Sequence, residues 1–143
     1  MEIRKLESDI KVFYIQAVSF PDGVLAAHKK LHSILPSDDG RKFFGISYSN
    51  GKGGIIYKAA VEENYPGEAE KYGLETFIIK KGEYICETLI DWFKDESLVR
   101  KTFKKLLSDS RIDRNGYCLE MYLNNTDMVC MVKLDTFKIN KIK

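Results

Sequence analysis

Two stretches of this sequence follow one pattern at a fixed spacing, and that limits the folds open to the chain. With a single ungapped offset of 74 positions, residues 44–50 lie on residues 118–124 and residues 55–57 lie on residues 129–131. Tyr48 then matches Tyr122, and Asn50 matches Asn124. Each stretch consists of two apolar runs around a turn. The first turn is Asn50-Gly51-Lys52-Gly53, and the second centres on Asn125-Thr126. Both read as β-hairpins. A supersecondary unit that recurs at constant spacing points to internal duplication.

Each hairpin follows a strand and a helix. Residues 11–20 are rich in β-branched and aromatic side chains, and Pro21-Asp22-Gly23 breaks that run. Residues 23–35 place Val24, Ala27, Leu31, Ile34 and Leu35 close to a helical period, which predicts an amphipathic helix. Residues 36–40 are rich in turn formers and end it. In the second half, residues 82–92 predict a strand. Asp95-Glu96-Ser97 opens a helix whose stripe is Leu98, Val99, Phe103, Leu106 and Leu107. Residues 63–73 read as a polar connector, 74–79 as a short strand, and 110–116 as a loop. Residues 1–9 are expected to be peripheral, and the basic tail after Asp135 to be frayed.

The fold class expected is α+β: a duplicated β-α-β-β module with pseudo-twofold symmetry, its halves at about residues 10–62 and 83–135. Its antiparallel sheet would carry two helices on one face, with a ligand cleft between the halves. A length of 143 residues suits one domain spanning 1–143.

Charge and cysteines narrow the function classes. The chain has 23 basic and 21 acidic residues, a balance that argues against direct nucleic-acid binding through electrostatics. No apolar run is long enough to span a membrane, and the charged N-terminus lacks a secretory h-region. A cytoplasmic protein with reduced thiols at Cys86, Cys118 and Cys130 is expected. His28 and His32 sit at i, i+4, but a third ligand and a neighbouring Glu are missing, so no metal or cofactor is expected.

Glu120 lies in the middle of a strand, where Glu is depleted and a buried charge needs a partner. Pairing Leu123 with Met128 would place Tyr117, Leu119, Met121 and Leu123 on the helix-packed face with Met128, Cys130, Val132 and Leu134. The opposite face would then carry Cys118, Glu120, Tyr122, Val129, Met131 and Lys133. The same pairing in the first hairpin puts Phe44, Ile46, Tyr48, Ile55, Tyr57 and Ala59 on the equivalent surface, with Ile46 in the place of Glu120. A carboxylate among Tyr48, Tyr57 and Tyr122, with Trp92 nearby, suits a flat cationic guest. A structural ion pair with Lys133 or Lys58 is the alternative reading of Glu120.

The succession of residues 44–48, 54–61, 81–84 and 119–122 resembles the GyrI-like domain, also called the bacterial effector-binding domain. The resemblance covers about residues 10–135. Gly82 and Tyr84 match the family's G-x-Y strand start, and Glu120 matches the acid of its E-x-Y strand. Residues 91–95 depart from the Gly-Pro-Tyr-like turn of many members. The resemblance implies a duplicated strand–helix–strand–strand fold and a cleft acid that contacts cationic aromatic ligands.

Three functions follow as expectations. The first is a stand-alone sensor or sequestering protein for hydrophobic, often cationic aromatic molecules, with Glu120, Tyr122, Tyr48, Tyr57, Ile46, Phe44, Trp92 and Met131 as contacts. The second is a hydrolase of cyclopropane-type electrophiles, with Glu120 as general base and Tyr57 or Tyr122 as proton donor. The third is an interaction protein of the gyrase-inhibitor kind, with a topoisomerase as partner.

Overall fold

The computed structural model describes residues 1–36 and 40–142; part of the predicted helix-ending segment, residues 37–39, lies outside the described residues. In chain order the strands are β1 (Glu2–Leu6), β2 (Ile10–Gln16), β3 (Phe43–Ser49), β4 (Ile55–Glu62), β5 (Glu75–Ile79), β6 (Gly82–Leu89), β7 (Cys118–Tyr122) and β8 (Met128–Lys133). The helices are α1 (Val24–Ile34), α2 (Glu68–Lys71), α3 (Ser97–Leu107) and α4 (Thr136–Ile142), and a 3₁₀ turn spans Trp92–Lys94. The fold is α+β, and the pairs β1–β6, β2–β4, β2–β5, β3–β4, β6–β8 and β7–β8 are antiparallel. The chain divides into two compact units, residues 9–79 and residues 1–8 with 80–143.

In the unit of residues 9–79 the strand order is β3-β4-β2-β5. Helix α1 packs on β2 and β4. It buries Ala27 and Leu31, one turn apart, against Phe13, Tyr57, Ala59 and Val61. Apolar burial of this kind stabilises by about 1.5–3 kcal/mol per large side chain. The polar connector predicted for residues 63–73 is partly ordered by a buried ion pair. Arg41 Nη1 lies 2.9 Å from Glu68 on α2, and both side chains are at most 4% exposed. Glu68 Oε1 also accepts from the Asn64 backbone N–H at 2.8 Å, so its lone pairs are used.

In the other unit the strand order is β1-β6-β8-β7. Helix α3 packs on β8 and β6. Leu106, Val99 and Phe103 lie with Ile85, Leu89, Met128, Cys130 and Val132. Two elements here were not predicted. The charged N-terminus is an edge strand, with Glu2 opposite Cys86 and Leu6 opposite Gly82. The tail after Asp135 is helical: Asp135 Oδ1 accepts from the Phe137 N–H at 2.9 Å, and Ile139 packs against the α3 core. A side-chain cap and an apolar contact favour a short helix that would be marginal in isolation.

The most consequential difference is register. The second hairpin pairs Tyr122 with Met128, not Leu123 with Met128. The first pairs Ser49 with Ile55 rather than with Gly54. The closing pairs are therefore 73 positions apart, not 74. Because side chains alternate across a sheet, a slip of one residue exchanges the faces. Asn50 and Asn124 both staple their turns, but at different places. Asn50 Oδ1 accepts from the Lys52 and Gly54 N–H groups, and Asn124 Oδ1 from the Thr126 and Asp127 N–H groups.

Replacing Glu68 by Ala would leave the Arg41 guanidinium buried without its carboxylate. Breaking such a pair costs about 3–5 kcal/mol, and urea unfolding of Glu68→Ala should show a loss of that order. A loss no greater than that of an exposed Glu→Ala control would show that the pair does not order the connector.

Candidate functional site

Glu120 lies on the face of its sheet that α3 covers. It pairs with Cys130, while Cys118 pairs with Val132 and Tyr122 with Met128. Cys130, Val132 and Met128 all belong to the α3 core, and Cys118 and Tyr122 pack against it. This corrects the expectation that Glu120 points away from the helix-packed side. The Tyr122 hydroxyl donates to Glu120 Oε1 at 2.8 Å, as two residues on one strand face can. Burial, and then the charge of Glu120, push the Cys130 thiol well above its ordinary range. Lys133, proposed as the partner of Glu120, lies on the opposite face with Met131, and its ammonium donates to the Leu134 carbonyl at 3.4 Å.

Trp92 joins this cluster. Its ring centroid is 5.9 Å from that of Tyr122, at 60°. Predicted at a strand end, it stands in the 3₁₀ turn, because β6 stops at Leu89. Asp91 has a left-handed backbone, φ 54°. Its N–H donates to Asp127 Oδ1 at 3.2 Å, and the Trp92 N–H donates to the Thr126 carbonyl at 3.1 Å. The β7–β8 turn therefore grips the backbone that carries the indole. Asp127 is held below the usual carboxylate range by the Asp91 backbone N–H and then by Asn124.

The remaining predicted residues are placed differently. Tyr57, 2% exposed, lies beneath α1 and shares a 2.8 Å hydrogen bond with His28 Nε2. Phe20 stacks on its ring at 5.9 Å. Phe44, Ile46 and Tyr48 occupy the opposite face of that sheet, with Ile56, Lys58 and Ala60. Tyr48 and Tyr57, expected together, are thus on opposite sides. Met131 is likewise on the face of β8 opposite to Cys130 and Glu120.

Sequence reasoning treated Lys58 only as a possible partner for Glu120. It is 8% exposed, and its ammonium lies 4.4 Å from the Tyr14 ring centroid, 5.1 Å from Tyr48 and 5.0 Å from Phe77. The chain's own lysine therefore lies against Tyr48, one of the tyrosines predicted for a cationic guest, together with Tyr14 and Phe77, which the prediction did not include. Burial, then the hydrogen bond to Glu75, raise the Tyr14 phenol. The signal available in the sequence was Lys58 alternating with Ile56 and Ala60 in an otherwise apolar strand, but only the correct register gives that face its tyrosines.

A shallow depression beside β1 and β6, lined by Met1, Glu2, Cys86, Glu87 and Thr88, contains none of the predicted residues. Among the described residues, no helix is long and apolar enough to cross a membrane.

No protein-family model matches the chain, and no curated protein matches it in sequence. Solved structures share its fold. One is an integron cassette protein from the mobile metagenome of Vibrio cholerae, with TM-score 0.67 and 10% identity, covering 94% of this chain and 95% of that one. A second is SAV2435 bound to tetraphenylphosphonium, with TM-score 0.64 and 9% identity, covering 96% and 95%. A third is a hydrolase from Listeria innocua, with TM-score 0.57 and 11% identity, covering 94% and 90%.

Burial pushes His28 down to about 4, with His32 adding a smaller effect. Its unfolded value lies near 6.5, so protonation favours the unfolded chain. Its contribution is intact above that value and fades as pH falls towards about 4, by on the order of 3 kcal/mol. Denaturant unfolding at pH 7 and pH 4.5 should show a smaller loss for His28→Gln than for wild type. Equal losses would remove His28 as the cause.

Proposed function

We propose that the chain binds hydrophobic cationic small molecules, with Glu120, Tyr122 and Trp92 as the recognition cluster, in the manner of a GyrI-like effector-binding domain. The observation that carries this reading is the half-buried Glu120 carboxylate, bonded to the hydroxyl of Tyr122, whose ring the Trp92 indole contacts. Coulomb attraction between a carboxylate and a cation strengthens where water is scarce. The two rings add cation–π attraction of about 0.5–2 kcal/mol each. A protein of the same fold has been solved with tetraphenylphosphonium, a cation of this class, bound to it. The recurring β-α-β-β order, read as duplication, fits the same family.

Binding is favoured over hydrolysis by the place of Tyr57. Tyr57, the other proposed acid, lies under α1 with His28. The function proposed is therefore capture of the guest, as a sensor or a sequestering protein. Phe44, Ile46, Tyr48 and Met131 are not needed for this reading.

The chain has one tryptophan, so Trp92 fluorescence reports on the cluster. Tetraphenylphosphonium should quench it saturably, and Glu120→Gln should weaken the affinity at least about tenfold, as expected on losing a charged partner. Equal affinities for Glu120→Gln and wild type would overturn the proposal.

A further inference from the structure

The indole Nε1 of Trp92 is buried and has no hydrogen-bond partner among the described residues. Natural structures pair nearly all buried donors, and an orphan calls for a reason. Buried tryptophans ordinarily find an acceptor for this N–H. Here the ring is held beside Tyr122, whose own hydroxyl is committed to Glu120. The hold on the ring is independent of the donor. It comes from the Asp91 and Trp92 backbone bonds to Asp127 and Thr126, with a left-handed Asp91, a conformation aspartate adopts more readily than most residues. The sequence thus fixes an indole against the ring of a tyrosine bonded to a carboxylate, while its donor has no partner among the described residues.

We infer that this donor is a ligand contact, and that the guest is a cation which also carries a hydrogen-bond acceptor, such as an aryl ketone or amide bearing an onium or ammonium group. The inference rests on the proposed cation site at Glu120 and adds a selectivity to it. A site that offers a donor rejects a guest lacking the matching acceptor, because the donor then stays unpaired. An acceptor-free cation such as tetraphenylphosphonium would use the carboxylate and the rings but leave the indole unsatisfied.

The test compares (4-acetylphenyl)triphenylphosphonium with (4-isopropylphenyl)triphenylphosphonium, which match in charge and closely in shape but differ in one carbonyl acceptor. Isothermal titration of wild-type protein should show the acetyl probe binding about tenfold more tightly, the scale of one unpaired buried donor. Trp92→Phe, which also alters the ring contact, should bind both probes with equal affinity, whatever that affinity is. In the NMR spectrum, the single indole N–H resonance should move downfield with the acetyl probe only. Equal binding of both probes to wild type, or an indole resonance that answers both alike, overturns this inference and leaves the cation site standing. Binding of neither probe overturns both. The wild-type titrations and the resonance decide the matter even if Trp92→Phe does not fold.

Discussion

Tyr122 pairs with Met128, and the candidate site depends on that pairing. It sends Cys118, Glu120 and Tyr122 to the side of the sheet that α3 covers, alongside Met128, Cys130 and Val132. A carboxylate there sits among apolar side chains and requires polar company, which the Tyr122 hydroxyl supplies in part. The turn that closes the pairing is stapled by Asn124. That turn also carries the Thr126 carbonyl and the Asp127 carboxylate that hold Trp92 and Asp91. One register choice therefore assembles the acid, the phenol and the indole.

The unit of residues 9–79 deals with its buried charges differently. Glu68 is matched by Arg41, with backbone help from Asn64. Lys58 is matched by three aromatic rings, and His28 stays neutral beside the Tyr57 hydroxyl. These groups find their partners within the unit. In the other unit, Trp92 Nε1 has no hydrogen-bond partner among the described residues.

Much of the secondary structure was legible because it rests on short-range signals. The spacing of Ala27 and Leu31 marked α1, and Leu106 with Phe103 marked α3. The Asn-Gly turn marked the first hairpin. The edge strand Glu2–Leu6 and the helix Thr136–Ile142 were missed, since their sequences carry no strong period and each forms by docking onto β6 or the α3 core. Glu68 was hidden in a polar segment, because the charge that buries it lies 27 positions away at Arg41.

Alone, the sequence determined the types of the main elements, the place of the two hairpins, and the fact that Glu120 and Tyr122 share a strand face, since residues two apart always do. It also singled out Glu120 as the acid to explain. Only the tertiary structure decided which face that was, which residues share it, and that Trp92 belongs to it while Tyr57 and Met131 do not. Strand pattern is local, whereas register is set by partners across the turn. With a period of two, a one-residue error in that register turns every side chain to the other side.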